Sequence, residues 1–354
     1  MKRFQIVLIV IPLLYWAGCG DDENEDNEDN PVISGSTIYI VGSTSDGACY
    51  WVNGSRVELP GGDWATDIVV VDGDVYTSGT CGLTACYWIN QERFDLPGSW
   101  GEGEAIAVDG DDVYVAGWFD NGSCYWKNGE KINLTTNGEA QAFAIGIRNN
   151  GDVFVGGYYV NNHHYVIPCY WKNGNNRSNL PVPSGGDGEV YDITFDEAGN
   201  MRYYAGYTMK PDNFTGYAPK ACRWRHTVRT DLPDGTSDIS LYGTGSYGIT
   251  IDGEDIYVAG YTDWIGDWDN ENTGGTFPRY WKNNTAHDLE GGPNTVFGTG
   301  QANDIRVADG NVVVVGMATG GPTGESACYW LNGELNYLDV VEGGSSEATG
   351  VFIE

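Results

Sequence analysis

Apolar and polar residues alternate along most of the chain in short runs, each closed by a turn signal. Residues 104–108, 113–116, 123–127 and 131–134 read as four consecutive strands. Asp109-Gly110-Asp111 turns the first into the second, and Asn128-Gly129 marks a tight hairpin between the third and fourth. Gly accepts positive φ without steric cost and Asn does so better than most residues, so this dipeptide is a strong hairpin signal. No stretch carries a convincing helical period.

The same unit recurs seven times. An aromatic-Trp pair stands at Tyr50-Trp51, Tyr87-Trp88, Tyr125-Trp126, Tyr170-Trp171, Tyr280-Trp281 and Tyr329-Trp330, with a degenerate Arg223-Trp224. Two residues after each Trp comes Asn, or His226 in the degenerate copy. A Leu follows further on, at 59, 96, 134, 180, 232, 289 and 338. Before each Trp a Gly ends an alternating run, at 42, 79, 117, 157, 206, 260 and 316. Seven four-stranded units predict an all-β, seven-bladed β-propeller over residues 36–354. The repeat enters on a second strand, Ile38–Val41, and finishes on an orphan first strand, Ala348–Ile353. The C-terminal strand is therefore expected to complete blade one as its innermost strand, which removes the free edges.

These units resemble the HAF-type repeats of bacterial extracellular proteins, with Ala48-Cys49-Tyr50-Trp51-Val52-Asn53-Gly54 and its copies in the repeat position and Ala-Cys-Tyr replacing His-Ala-Phe. The resemblance implies a propeller outside the cytoplasm. It carries no catalytic residue and no substrate.

Connection lengths single out one face. From the Gly to the Trp the spacings are 9, 9, 9, 14, 18, 21 and 14. The segment from each Leu to the next first strand also lengthens in the later blades, whereas Trp-to-Leu is almost constant. In an up-down-up-down blade the two variable connections emerge on one face, so blades four to seven should build up that face. Loops over a rigid scaffold are where binding residues concentrate. The candidates there are Tyr159, His163 and His164 in blade four, Phe214 and Tyr217 in blade five, and Trp264 and Trp268 in blade six. Exposed rings beside carboxylates and amides suit a glycan or a protein ligand.

The formal charge of −32, from 18 basic and 50 acidic residues, argues against nucleic acid, because little is available to neutralise a phosphate backbone. It equally disfavours an anionic membrane surface, so contact with a membrane is expected through a lipid anchor only. Lys2-Arg3 followed by the apolar run 4–18 has the pattern of a secretory signal. Trp16-Ala17-Gly18-Cys19 resembles a bacterial lipoprotein cleavage box, which implies a signal peptide over 1–18 and lipidation of Cys19. Residues 19–35 then form an acidic tether, whose start resembles the surface-export signal of Bacteroidota lipoproteins. The expected location is the outer membrane, on its surface or periplasmic side.

Asp267-x-Asp269-x-Glu271 offers alternating oxygens for calcium but lacks the full loop pattern, since Asn272 stands where Gly is needed. No other cofactor is implied. Aligned on strand ends, the first strands begin with Ala65, Glu102, Gln141, Glu189, Gly245, Gln301 and Glu347. The five Glu and Gln residues are expected around the channel mouth, with Asp67 and Asn303 further along. Cys81, five residues before Cys86, is placed for a disulfide across a short hairpin, and the other repeat-position cysteines read as inert packing residues. No catalytic motif emerges. The leading expectation is a binding module. The alternatives are a polysaccharide hydrolase or lyase using loop carboxylates, and a structural accessory subunit of an outer-membrane complex.

Overall fold

The computed structural model describes residues 33, 35–120, 122–135, 139–183, 186–210, 218–234, 241–265, 274–291, 299–322, 324–340 and 344–354, with backbone only at 210, 241, 242, 264, 265 and 274. Residues 31–354 form one compact unit. It contains seven four-stranded antiparallel sheets, each in sequence order except the first. There the C-terminal strand Ser346–Ile353 pairs with Ile38–Thr44 and becomes the innermost strand of blade one. The protein is a seven-bladed β-propeller closed by its C-terminal strand.

Each repeated residue has a physical task. The Trp side chains are fully buried between blades. The Trp126 indole N–H donates to Pro97 O, 3.1 Å away, the residue after Leu96 of the preceding blade. Trp51, Trp88, Trp224, Trp281 and Trp330 make the corresponding bond. Trp and Leu thus bolt neighbouring blades together. The Asn works within a blade. Asn128 turns the third strand into the fourth at φ 51°, and its Oδ1 accepts from Val113 N at the start of the second strand. His226 keeps the positive φ of the turn, 55°, without that side-chain bond to the strand; its Nε2 lies 3.0 Å from Met201 Sδ.

The Gly and the channel are linked by a third rule. Every innermost strand carries a β-bulge at one repeat position, for example between Gly103 and Ala105. The bulge drives the carbonyl of the mouth residue toward the second strand, so a Cβ at Gly117 would lie on Glu102 O, and one at Gly316 on Gln301 O. Only Gly fits beneath a bulge that kinks the strand and re-aims its side chains.

The extra length of blades four to seven is taken up partly by longer strands. In blade two the second and third strands are Asp74–Cys81 and Thr84–Ile89. In blade six they are Asp255–Ile265 and Gly274–Lys282, and in blade seven Asn311–Gly321 and Gly324–Leu331. The spacing of 14 in blade seven is therefore largely a two-stranded ribbon, paired as far as Gly321 opposite Gly324. Backbone pairing satisfies polar groups that a loop would leave to water.

Candidate functional site

The innermost strands are Ser346–Ile353, Trp64–Val71, Gly101–Asp109, Ala140–Ile147, Gly188–Phe195, Leu241–Asp252 and Gly300–Ala308. They surround an axial cavity of about 560 Å³. Their first residues lie on the face that also carries the second-to-third and blade-to-blade connections. Register corrects one alignment. Glu102 pairs with Trp118 and Gln141 with Tyr158, and the equivalent pair in blade two is Trp64 with Thr80. Ala65 sits one position further, buried in the core. The strand ends mislead because polar Asp109 continues the ladder opposite Asp112, where blade two has Val71 opposite Asp74.

Glu102, Gln141, Glu189, Gln301 and Glu347 share this mouth position, but their surroundings differ. Glu189 accepts from the hydroxyls of Tyr191 at 2.7 Å and Tyr207 at 2.9 Å. Burial raises its pKa, and these donors oppose the rise. Tyr158 donates to Gln141 Oε1 at 3.1 Å. The Asn303 amide bridges Gln301 and Glu347, donating to Glu347 Oε1 at 2.8 Å and accepting from Gln301 Nε2 at 2.8 Å.

One step inward, the bulge residues form two contrasting walls. Phe143, Tyr191 and Tyr247 pack in sequence through tilted ring contacts, with centroids 5.1 and 4.9 Å apart. On the other side Asn303, Thr349 and Thr66 each donate to a carbonyl of the following blade: Ala348, Ala65 and Gly103. Glu104 lies between the walls and accepts from the Trp118 indole N–H at 3.2 Å. Burial, reinforced by the nearby Glu102 charge, pushes the Glu104 carboxyl up to about 8, so it is mainly uncharged at neutral pH.

Immediately beyond the bulge stand Asp67, Asp192 and Asp304. Each carboxyl accepts from the next residue's amide and from an amide of the following blade: Ile106, Ile249 and Val351. Arg306 donates to Asp304 Oδ1 and Ile305 O, at 2.7 and 2.8 Å, and its charge also acts on Asp192 and Asp67. Burial still raises all three acids, Asp67 to about 6 and Asp192 to about 8, with the Asp304 charge adding to the rise at Asp192. These carboxyls staple the ring. Among the described residues no group of three or more His, Cys, Asp or Glu side chains is arranged to hold a metal ion.

The loop candidates are dispersed. Tyr159 lies under the Arg177 guanidinium, 3.3 Å from the ring centroid, and accepts from Asn179 Nδ2. His163 and His164 are exposed in the connection 161–165, which Asn161 Oδ1 organises by accepting from the amides of His163 and Tyr165. Trp264 lies in the blade-six ribbon, its backbone opposite Leu241 and Gly275. Cys19, Phe214, Tyr217, Trp268, Asp267, Asp269 and Glu271 fall outside the described residues. Cys81 and Cys86 are joined by a disulfide with a Cα–Cα distance of 6.0 Å. Cys49, Cys124, Cys169 and Cys328 are free and buried, Cys222 is likewise buried, and burial pushes the Cys49 thiol up to about 12.

Exposure brings out residues that the repeat pattern conceals. Among the described residues the large exposed apolar side chains are Trp64, Leu83, Trp100, Tyr165, Val228 and Phe277. All but Val228 lie on the mouth face or its ribbons, so the apolar exposure is one-sided. Trp64 and Trp100 stand outside the Tyr-Trp repeat slot, which is the sequence signal that separates them from core tryptophans.

No known family model and no curated protein sequence matches the chain. Similar solved structures include an extracellular domain from B. thetaiotaomicron, at 12% identity and TM-score 0.46 over 83% of this chain and 38% of that one. The tricorn protease matches at 12% identity and TM-score 0.47, over 89% and 36% of the two chains. The β-propeller domain of the Trilobed protease from Pyrococcus furiosus matches at 8% and 0.48, over 86% and 97%. The chain spans well under half the length of the first two. These likenesses concern the fold alone.

Proposed function

We propose that this propeller is an extracytoplasmic, lipid-anchored module that recognises a glycan through its mouth face. The observation that carries this reading is the one-sided exposure of aromatic and apolar side chains around the channel opening, beside amides and carboxyls. Sugar rings stack their C–H faces on such side chains while their hydroxyls take the polar groups, and recognition sites combine mostly apolar walls with a few placed polar groups. The signal-like N-terminus and the Cys81–Cys86 disulfide both favour an oxidising compartment. The described chain enters beside Glu354, where Thr37 N donates to Glu354 O, at the end opposite the mouth. An anchor leaving from there would hold the mouth face outward, at the outer membrane.

The test is a glycan panel probed with the full-length protein in detergent, with and without calcium. Saturable binding of at least one oligosaccharide is the expected result. Absence of binding to every glycan would overturn the reading in favour of a protein partner, including a role as an accessory subunit. Glu104, a carboxyl raised by burial beside a second carboxyl, Glu102, is the feature that favours a hydrolase. Turnover of a bound glycan that disappears in Glu104→Gln would establish that second reading.

A further inference from the structure

We infer that Trp64, Leu83 and Trp100, on the short-loop blades two and three, form the stacking platform for a neutral glycan chain. This rests on the glycan reading above and relocates its centre away from the long loops of blades four to seven. The three side chains are 53%, 66% and 57% exposed, against full burial of all seven repeat tryptophans. They belong to different segments, yet short hydrogen bonds tie their backbones together. Asp63, next to Trp64, donates its amide to Thr80 O at 2.9 Å and accepts from Gly82 N through Oδ2 at 2.5 Å. Leu83 follows Gly82, and its carbonyl accepts from Gly101 N at 3.1 Å. Trp100 precedes Gly101, and its own carbonyl accepts from Asp120 N at 2.7 Å. The Cys81–Cys86 disulfide closes the hairpin that carries Leu83. Nothing in this arrangement buries the rings, while much of it fixes where they stand. A pre-positioned surface loses little conformational freedom on binding.

The surroundings select the ligand. Asp63, Glu102 and Asp120 are exposed carboxylates beside the platform, and the whole chain carries a formal charge of −32. Uronate, sialylated or sulfated chains would meet like charge from these three carboxylates, with Arg93, bonded to Gly61 O at 3.2 Å, as the nearby opposing charge. The platform continues inward through Glu102, paired with Trp118, to Glu104 at the edge of the axial cavity. Because the Glu104 carboxyl is mainly uncharged at neutral pH, it serves a sugar hydroxyl as donor and acceptor and supplies little of the negative charge a cation would need.

The experiment measures Kd by calorimetry for the full-length protein in detergent, using the tightest neutral oligosaccharide from the panel and a uronate-containing chain of similar length. Wild type is compared with Trp64→Ala/Trp100→Ala, Trp100→Phe, and Val228→Ala on the opposite face. The double variant should weaken binding by at least about tenfold, as loss of aromatic anchors does. Trp100→Phe should retain part of the affinity, Val228→Ala should match wild type, and thermal midpoints should stay together because the replaced rings are exposed. A double variant that binds within about twofold of wild type would refute the platform and leave the glycan reading standing. Tighter binding of the uronate chain would refute the neutral specificity. Failure of wild type to bind any glycan would remove the underlying reading itself.

Discussion

The two sides of the channel solve one backbone problem with different chemistry. In blades seven, one and two the bulge residue is Asn303, Thr349 or Thr66, and each clamps the next blade through a side-chain donor. In blades four, five and six it is Phe143, Tyr191 or Tyr247, and the rings pack against one another at a tilt from blade to blade. The bulge and the Gly beneath it are the same on both sides. The scaffold therefore fixes where a side chain is presented and leaves its identity free. A polar clamp holds carbonyls at defined distances, whereas packed rings bury area without fixing a donor. A ligand in the axial cavity would meet an apolar wall facing a polar one.

The largest disruption should come from the staple that joins blade seven to blade one. Asp304→Ala removes the acceptor of Ile305 N and Val351 N and leaves Arg306 without its closest counter-charge. Breaking a buried pair in this way costs about 3–5 kcal/mol, and Arg306 retains some exposure, so the lower end is expected in urea unfolding. Next comes Tyr191→Ala, which takes away a ring touching Phe143, Tyr207 and Tyr247 and a donor to Glu189. Tyr191 is half-buried, so a loss of about 2 kcal/mol is expected, below the roughly 3–5 kcal/mol of a fully buried aromatic. On the polar side Thr66→Val keeps the shape and orphans Gly103 O, at a cost of about 1 kcal/mol. If Thr66→Val proved more damaging than Tyr191→Ala, the contrast between the walls would be wrongly drawn.

A further effect is graded by pH. Asp67, Asp192 and Glu104 are raised by burial to about 6, 8 and 8, while unfolded carboxyls titrate near pH 4. The folded chain therefore binds protons more tightly than the unfolded one. The stabilisation from these groups is complete below about pH 4 and is lost as pH rises through 6 to 8. Asp152, drawn down to about 2 by its hydrogen bond from Lys172, works in the opposite sense, and its contribution fades only as pH falls from about 4 to 2. The thermal midpoint should be higher at pH 5 than at pH 8.5. A midpoint that climbs over that interval would show that the channel acids are ionised throughout.

The ring architecture was legible because its requirements recur. A Gly under each bulge, a buried Trp in each blade, bonded to the neighbouring blade in every case but Trp171, and an Asn at nearly every outer hairpin leave a periodic trace. The channel chemistry was only partly legible. The mouth residues stood out by type, but Asp67 was grouped with Asn303, whereas the ladder places Thr66 level with Asn303 and Asp67 level with Asp304. The staple of three aspartates appears only after that shift. Loop length drew attention to blades four to seven, where part of the length became ribbon. Trp64 and Trp100 escaped notice because one begins a strand and the other ends a short connection, and residue type alone does not reveal exposure.

The central claim, that the mouth face of blades two and three is the ligand face, is tested most directly by hydroxyl-radical footprinting of the full-length protein with and without a saturating neutral oligosaccharide. Trp64 and Trp100 should be labelled in the free protein and protected in the complex. Val228 should be labelled equally in both, and the buried repeat tryptophans in neither. Protection of Val228 with Trp64 and Trp100 unchanged would contradict the account and place recognition on the opposite side of the ring.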